Sequence, residues 1–239
     1  MPDASNEIAL VTPVWNDAAR LESFGPELAA ALASAALPIR WVIADDGSSA
    51  DERDRLAALH AEFSQVYPKL VLHHADAHRG KGSIVREAWA LVPDAAWYAF
   101  VDADGSVSAR DLMGLLRTAA AEGKSVLGIR RPTESTLVKM SIWRGVAHRV
   151  YRWLVLSWLG LRCEDPQCGV KVILGNDYRR VAGGLGENGF AFDSELLGRL
   201  AQAGCEWREV PVGWMEKKGG KVKPLRDAWG MIAALWRLR

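Results

Sequence analysis

The chain has 239 residues, of which 49% are hydrophobic and 25% are charged. This length and composition exclude a disordered chain, a collagen-like fibre and a disulfide-stapled miniprotein, and they suffice for one large domain. The formal net charge is only +1, but the charges are unevenly distributed. Residues 130–162 and 217–239 each contain seven basic residues and one acidic residue, which indicates that two segments meet an anionic partner.

The first half of the sequence alternates short apolar runs with helix-like segments. The runs predict strands over residues 8–11, 41–44, 70–72, 97–101 and 125–129. The segments between them predict helices over about residues 18–36, 51–67, 82–91 and 109–121. Continuous apolar strands separated by helices indicate an α/β fold with a mostly parallel central sheet and helices on both faces. Pro13 is expected to end the first strand.

The second half predicts helices over about residues 138–161, 193–203 and 225–238, with strands over 170–174 and 207–212. No linker-like stretch divides the chain, so residues 1–239 are interpreted as a single domain with halves of about 1–129 and 130–239. The three cysteines form no zinc-site pattern, and together with the polar N-terminal segment they predict a protein of the reducing cytosol. The most apolar stretch, 153–161, is too short to span a bilayer.

Polar residues collect where the predicted strands end, at Thr12–Pro13, Asp45–Gly47, His78–Gly82 and Asp102–Asp104. Ligands of open α/β sheets bind at that edge. Asp102 and Asp104 could hold a divalent cation that bridges to a diphosphate, although Asp-Gly is also a common turn. The glycines of Arg79-Gly80-Lys81-Gly82 could admit an anion at a helix N-terminus. The spacings of a P-loop and of a dinucleotide fingerprint are absent.

Both predicted helices of the basic segments are amphipathic. Residues 138–161 carry an apolar stripe beside Arg149, and residues 225–238 repeat the pattern with Trp229 and Trp236. A basic face beside tryptophans is typical of a helix in a lipid interface, while packing on the sheet or on a partner subunit also produces such stripes. No nucleic-acid recognition fold is readable, so nucleic acid is not the expected partner.

Six motifs follow one another in a characteristic order. They are Val11-Thr12-Pro13-x-x-Asn16, Asp45-Asp46-Gly47-Ser48, Arg79-Gly80-Lys81-Gly82, Asp102-Ala103-Asp104-Gly105, Asp165-x-Gln167-Cys168-Gly169 and Phe192-Asp193-x-Glu195-Leu196. This order resembles the inverting glycosyltransferases of family 2, which have the GT-A fold, and within them the polyprenyl-phosphate sugar transferases such as dolichyl-phosphate β-glucosyltransferase and dolichyl-phosphate mannose synthase. The match spans about residues 8–227. His78-Arg79 departs from the pattern, which has Asn-x before Gly-Lys-Gly.

The resemblance implies roles for particular residues. The implied substrate-binding residues are Thr12, Pro13, Asp45, Asp46, Gly80, Lys81, Asp102, Lys221 and Lys223. The implied ligands of Mg²⁺ or Mn²⁺ are Asp102 and Asp104. The residues implied at the reaction centre are Arg130, Gln167, Asp193 and Glu195. Residues 1–129 then form the nucleotide-binding half, and residues 130–239 form the acceptor half with its two membrane-interface helices.

The implied reaction transfers one sugar from a nucleotide diphosphate sugar to a polyprenyl phosphate, with inversion, at the cytoplasmic face of a membrane to which the chain binds peripherally. The motif variants favour UDP-glucose and leave GDP-mannose open. A phosphate acceptor is already ionised at neutral pH, so Asp193 is expected to act as a base only toward a hydroxyl acceptor. A glycosyltransferase acting on a saccharide or protein hydroxyl remains an alternative, as does a non-catalytic sugar-nucleotide-binding assembly subunit.

Overall fold

A computed structural model describes residues 6–139, 141–217 and 232–238. The strands are β1 Ile8–Val14, β2 Ile39–Asp45, β3 Leu70–His74, β4 Trp97–Val101, β5 Ser125–Ile129, β6 Val138–Lys139, β7 Val170–Leu174, β8 Trp207–Pro211 and β9 Trp214–Met215. The helices are α1 Ala18–Ala33, α2 Ala50–Val66, α3 Lys81–Ala90, α4 Ala109–Glu122, α5 Ile142–Leu159, α6 Gly175–Val181 and α7 Phe192–Gln202. Residues 232–237 are also helical.

Seven strands form the central sheet in the order β3-β2-β1-β4-β7-β5-β8. Neighbouring strands are parallel except at β7, which runs antiparallel to both β4 and β5. Strands β6 and β9 form a separate parallel pair. The prediction of a mostly parallel sheet is therefore confirmed, and the reversal of β7 brings its first residues to the edge where the parallel strands end.

A hydrophobic layer covers each face of the sheet. In β1, Ile8 and Leu10 pack with α1, α2 and α4, while Ala9 and Val11 pack with α3, α5, α6 and α7. Successive side chains of a strand point to opposite faces, so a strand buried on both sides is apolar at every position. This arrangement explains the continuous apolar runs that predicted the strands.

The structure corrects several predicted elements. Pro13 does not end β1, because the pairing of β1 with β4 stops at Val11 while the pairing with β2 continues to Val14. Proline is tolerated where its missing N–H faces no partner strand. The segment 138–161 is not one helix, since β6 precedes α5. Helix α6 and strands β6 and β9 were not predicted, because they are seven residues long or shorter. No helix in the described part of the chain has the length and hydropathy to cross a membrane.

Candidate active site

All six motifs meet at one edge of the sheet. The backbone N–H of Asp102, just after β4, donates to the carbonyl of Gly169, just before β7, at 3.0 Å. Because β7 runs antiparallel, the Asp165–Gly169 motif therefore lies beside the strand-end acids of β2 and β4. A methyl group on Gly169 would lie 2.1 Å from Asp102 Oδ2, so the glycine leaves the room that this carboxylate occupies.

Lys81 connects the first turn of α3 to two of the predicted site acids. Its Nζ lies 2.9 Å from Asp102 Oδ1 and 3.2 Å from Asp193 Oδ2, and 4.5 Å from the centre of the Phe100 ring. Burial alone would lower the pKa of Lys81, but the two carboxylates raise it. The ammonium therefore stays charged and fixed at the end of β4.

Lys171 is a site residue that the sequence reasoning missed. It is fully buried in β7, where its Nζ donates to Asp193 Oδ1 at 2.5 Å and to the Cys168 carbonyl at 2.8 Å. Burial would raise the pKa of Asp193, but Lys171 and Lys81 together lower it. A lysine inside the apolar run 170–174 was the available signal, because a fully buried lysine needs a partner.

Asp102 and Asp104 present oxygen atoms two residues apart. The Asp102 side chain is 42% exposed. Partial burial of its carboxylate, with the nearby charge of Asp104, raises its pKa against the opposing effect of Lys81. Asp104 accepts from the Ser106 N–H at 2.8 Å and lies 3.5 Å from Arg20. Within the described ranges no three His, Cys, Asp or Glu side chains gather as a metal site. Two carboxylates suit a Mg²⁺ or Mn²⁺ ion that takes its other ligands from water and a bound diphosphate.

The predicted nucleotide-binding residues make contacts within the protein. Asp45 is buried and accepts from the Ser48 N–H at 3.0 Å, with His74 Nδ1 2.9 Å away. Asp46 accepts from the backbone N–H groups of residues 79 and 80 at 2.9 and 2.7 Å. The two acids thus shape the loop between β3 and α3, and their contact with a nucleotide stays a prediction.

Thr12 and Pro13 lie near the C-terminal end of β1. The Thr12 hydroxyl accepts from Trp41 Nε1 at 3.0 Å in the core, whereas Pro13 is partly exposed. The Trp15 ring stacks on His78 at a centroid distance of 3.8 Å, and His78 Nδ1 lies 2.7 Å from Asp46. His78, which departs from the family pattern, therefore fills the space between Trp15 and Asp46 at the sheet edge.

The start of α3 does not face an open anion site. The N–H groups of Gly82 and Ser83 donate to the Asn188 carbonyl, at 2.7 and 3.3 Å. A methyl group on Gly80 would lie 2.4 Å from that same oxygen. In this structure the glycines admit the 186–189 loop, and contact of Gly80 with a substrate phosphate stays a prediction.

Glu195 binds the same loop. Its carboxylate accepts from the N–H groups of Gly186 and Glu187 at distances of 2.8 to 3.1 Å. The structure thus gives different partners to two residues of one motif. Asp193 binds Lys81 and Lys171, while Glu195 binds the 186–189 loop, which packs on the start of α3. A catalytic role for Glu195 has no support in these contacts.

Arg130 and Gln167 both contact Asp165, Gln167 through its backbone N–H at 3.3 Å. Arg130 donates from Nε and Nη2 to Asp165 at 2.6 and 2.7 Å. Burial would raise the pKa of Asp165, but hydrogen bonds from Arg130 and His148 hold it far below its ordinary value. Gln167 is partly exposed, and its side chain makes no hydrogen bond to the described residues, so it is open to a ligand. The predicted substrate-binding residues Lys221 and Lys223 lie outside the described residues.

Helix α5 buries one part of its apolar surface and exposes another. Tyr151 and Val155 are buried against the domain, whereas Val146, Val150 and Trp153 are exposed, Trp153 to 64%. In the last helical segment, over 232–237, Trp236 is 70% exposed. The remainder of the predicted helix 225–238 lies outside the described residues.

The sheet order, the antiparallel β7 and the strand-end acids define the GT-A fold of nucleotide-sugar transferases. The mannosyltransferase PcManGT of Pyrobaculum calidifontis, solved with GDP-Man and Mn²⁺, superposes with a TM-score of 0.60 at 16% identity, over 98% of this chain and 63% of its own. Glucosyl-3-phosphoglycerate synthase of Mycobacterium tuberculosis was solved with Mn²⁺, UDP and phosphoglyceric acid. It superposes with a TM-score of 0.66 at 16% identity, over 98% of this chain and 78% of its own.

Proteins similar in sequence support the same resemblance. The chain is 26% identical to the dolichyl-phosphate β-glucosyltransferase of Dictyostelium discoideum, over 97% of this chain and 73% of that protein. It is 27% identical to the glycosyltransferase AglD of Haloferax volcanii. The match covers 98% of this chain but only 37% of AglD. No protein-family model matches the chain. The resemblance to GT-A polyprenyl-phosphate glycosyltransferases is confirmed.

Proposed function

We propose that this chain transfers one sugar from a nucleotide diphosphate sugar to a polyprenyl phosphate, with inversion and with the help of a divalent cation. The donor edge is formed by Lys81, Asp102 and Asp104. The acceptor side is formed by Arg130 and Gln167. The relatives named dolichyl-phosphate β-glucosyltransferase support this acceptor and a glucose donor. We take UDP-glucose as the first donor to test and GDP-mannose as the second.

The proposal rests on the two ion pairs of Asp193. Each of its carboxylate oxygens is bound by an ammonium group, one from Lys171 and one from Lys81. A carboxylate held in this way is a poor proton acceptor, so it is unsuited to activating a hydroxyl nucleophile. A phosphate monoester has a second pKa of about 6 and reaches the site already ionised. The geometry therefore favours a phosphate acceptor over the saccharide or protein hydroxyl of the alternative.

The chain's residues then act by charge and position. Asp102 and Asp104 would hold the Mg²⁺ or Mn²⁺, which when bound neutralises charge on the departing diphosphate. Lys81 places a fixed positive charge beside Asp102, where that negative charge develops. Arg130 supplies a buried cation for the acceptor phosphate. The alignment of the two substrates lowers the remaining barrier to transfer.

Replacing Asp104 by Asn should remove cation-dependent donor binding, because a neutral amide is a weaker ligand for a hard cation. Titration calorimetry with UDP-glucose and Mn²⁺ measures this loss, and we expect an affinity about a hundredfold lower. Asp111→Asn on α4, outside the donor edge, is the matched control. Unchanged affinity in the Asp104 variant would refute its role as a metal ligand.

Membrane contact would come from the exposed stripe of α5. Val146, Val150 and Trp153 share one face, and Arg149 beside them is also exposed. Apolar and cationic side chains on one exposed face suit a lipid surface with anionic head groups. We place this contact at the cytoplasmic face of the membrane, where nucleotide sugars are available to a cytosolic protein.

Replacing Trp153 by Ala should weaken binding to liposomes that contain an anionic phospholipid. Burial of one large apolar side chain corresponds to a change of about tenfold or more in partitioning. Flotation of the protein with the vesicles measures this change. Leu91→Ala, at an exposed apolar residue beyond the C-terminal end of α3, should float like the parent protein. Equal flotation of both variants would remove α5 from the lipid contact.

The activity assay combines purified protein, Mn²⁺, UDP-glucose or GDP-mannose and a polyprenyl phosphate. We expect a glycolipid product that depends on the cation. Transfer to a soluble alcohol without any glycolipid would instead support the hydroxyl-acceptor alternative. Donor binding without turnover on any acceptor would support the non-catalytic assembly subunit.

A further inference from the structure

Two consecutive acidic residues are held between the end of β5 and helix α5. We call this group the acidic clasp, and its members are Arg130, Arg131, His148, Arg152, Glu164 and Asp165. Arg130, the residue after β5, binds Asp165 through Nε, Nη2 and its backbone N–H, at 2.6, 2.7 and 3.1 Å. Arg131 Nε donates to Glu164 at 2.8 Å.

Helix α5 supplies the other side of the clasp. His148 Nε2 lies 3.1 Å from Asp165 Oδ1, and Arg152 Nε donates to the Glu164 carbonyl. Positions 148 and 152 are four residues apart and share one face of the helix. Arg131 and Arg152 of segment 130–162 are therefore bound to an acid or a carbonyl within this protein.

The clasp leaves one nitrogen of Arg130 available. Nε and Nη2 are engaged by Asp165, whereas Nη1 has no hydrogen-bond partner among the described residues. The side chains of Arg130 and Asp165 are only 9% and 4% exposed. Asp165 Oδ1 accepts from Arg130 Nη2 and from the Gln167 N–H and lies 3.1 Å from His148 Nε2, so the histidine is one of the groups that orient the carboxylate and with it the plane of the guanidinium.

We propose that His148 is a positioning residue for the acceptor phosphate, acting through Asp165 on Arg130; this inference rests on the proposed function. Without His148 the carboxylate still pairs with Arg130 but loses one of the contacts that define its orientation. A bidentate pair is sensitive to such orientation. The donor edge at Asp102 and Lys81 makes no contact with His148, so donor binding is independent of it.

The test compares His148→Ala with His148→Gln, because a glutamine amide can donate a hydrogen bond from nearly the position of Nε2. We expect His148→Ala to raise the KM for polyprenyl phosphate about tenfold while the KM for the nucleotide sugar stays unchanged. We expect His148→Gln to restore the acceptor KM to within about twofold of the parent value. His60→Ala on α2, whose ring lies 3.4 Å from the Leu70 carbonyl, is the matched control.

An unchanged acceptor KM in His148→Ala would overturn the inference, and so would an equal rise in both KM values or failure of glutamine to restore the acceptor KM. The parent protein is assayed first with polyprenyl phosphate. If it forms no glycolipid while binding UDP and Mn²⁺, the proposed function fails by itself. If it forms glycolipid and His148→Ala behaves as the parent, only the positioning role fails.

Discussion

Replacing Asp165 by Asn is expected to destabilise the protein by about 3–5 kcal/mol, the usual cost of removing one partner from a buried ion pair. Asp165 is buried and accepts from Arg130 and His148. The asparagine leaves the Arg130 guanidinium buried without a compensating charge. Denaturant unfolding at pH 7, followed by circular dichroism, measures the difference.

The exposed ion pair of Lys124 and Glu206 provides the matched control. Its partners are 3.4 Å apart, with 53% and 81% of the side chains exposed, and a pair of that kind contributes about 0–1 kcal/mol. Glu206→Gln should therefore unfold almost as the parent protein does. A destabilisation of similar size in both variants would contradict the importance assigned to Asp165.

The pH dependence of the same variant follows from the depressed pKa of Asp165. The carboxyl has a lower pKa in the folded protein than the ordinary value of 3.8. Its contribution is therefore fully present above the unfolded pKa and is lost as the pH falls through the folded value. The stability gap between parent and Asp165→Asn should be constant above about pH 5 and should narrow below about pH 4.

Replacing Gly169 by Ala is expected to impair catalysis far more than stability. The added methyl group would lie 2.1 Å from Asp102 Oδ2 and 2.7 Å from its Cγ, so the carboxylate must move. A displacement of about 1 Å in a group that positions the reactants costs about a hundredfold in rate. Glycolipid formation at saturating Mn²⁺ should fall by that factor, while the melting temperature changes little.

Gly183→Ala is the control for this substitution, because nothing lies within 4 Å of a methyl group at that position. It should be as active as the parent protein. Parent-like turnover in Gly169→Ala would show that the position of Asp102 does not limit the reaction. A collapse of thermal stability in Gly169→Ala would show that β7, rather than the carboxylate, has shifted.

The strands and helices of the first half were predictable because the apolar pattern is continuous and each strand is buried on both faces. Strands β4 and β5 have the bounds that the sequence predicted. The reversal of β7 was not readable, since a five-residue apolar run has the same pattern in either direction. That reversal is what places Gly169 beside Asp102.

The motifs identified the edge of the site but not how its residues pair. Asp193 and Glu195 are two residues apart in one motif, yet one binds lysines and the other binds backbone N–H groups. Some residues at the site or at its borders belong to none of the six motifs, so the motifs could not identify them. They are His148, Lys171 and Asn188. Net charge was also an incomplete guide, because Glu164 and Asp165, just beyond segment 130–162, bind three of its basic residues.

The central claim is that the acceptor arrives already ionised and needs no base from the protein. The most direct measurement compares a polyprenyl phosphate with the polyprenol of the same chain length, under identical donor and Mn²⁺ concentrations. The two lipids differ only in the nucleophile, so membrane partitioning is closely matched. We predict glycolipid from the phosphate and none from the alcohol. Equal transfer to the polyprenol would contradict the claim, because that reaction requires a base that Asp193, held by two lysines, does not provide.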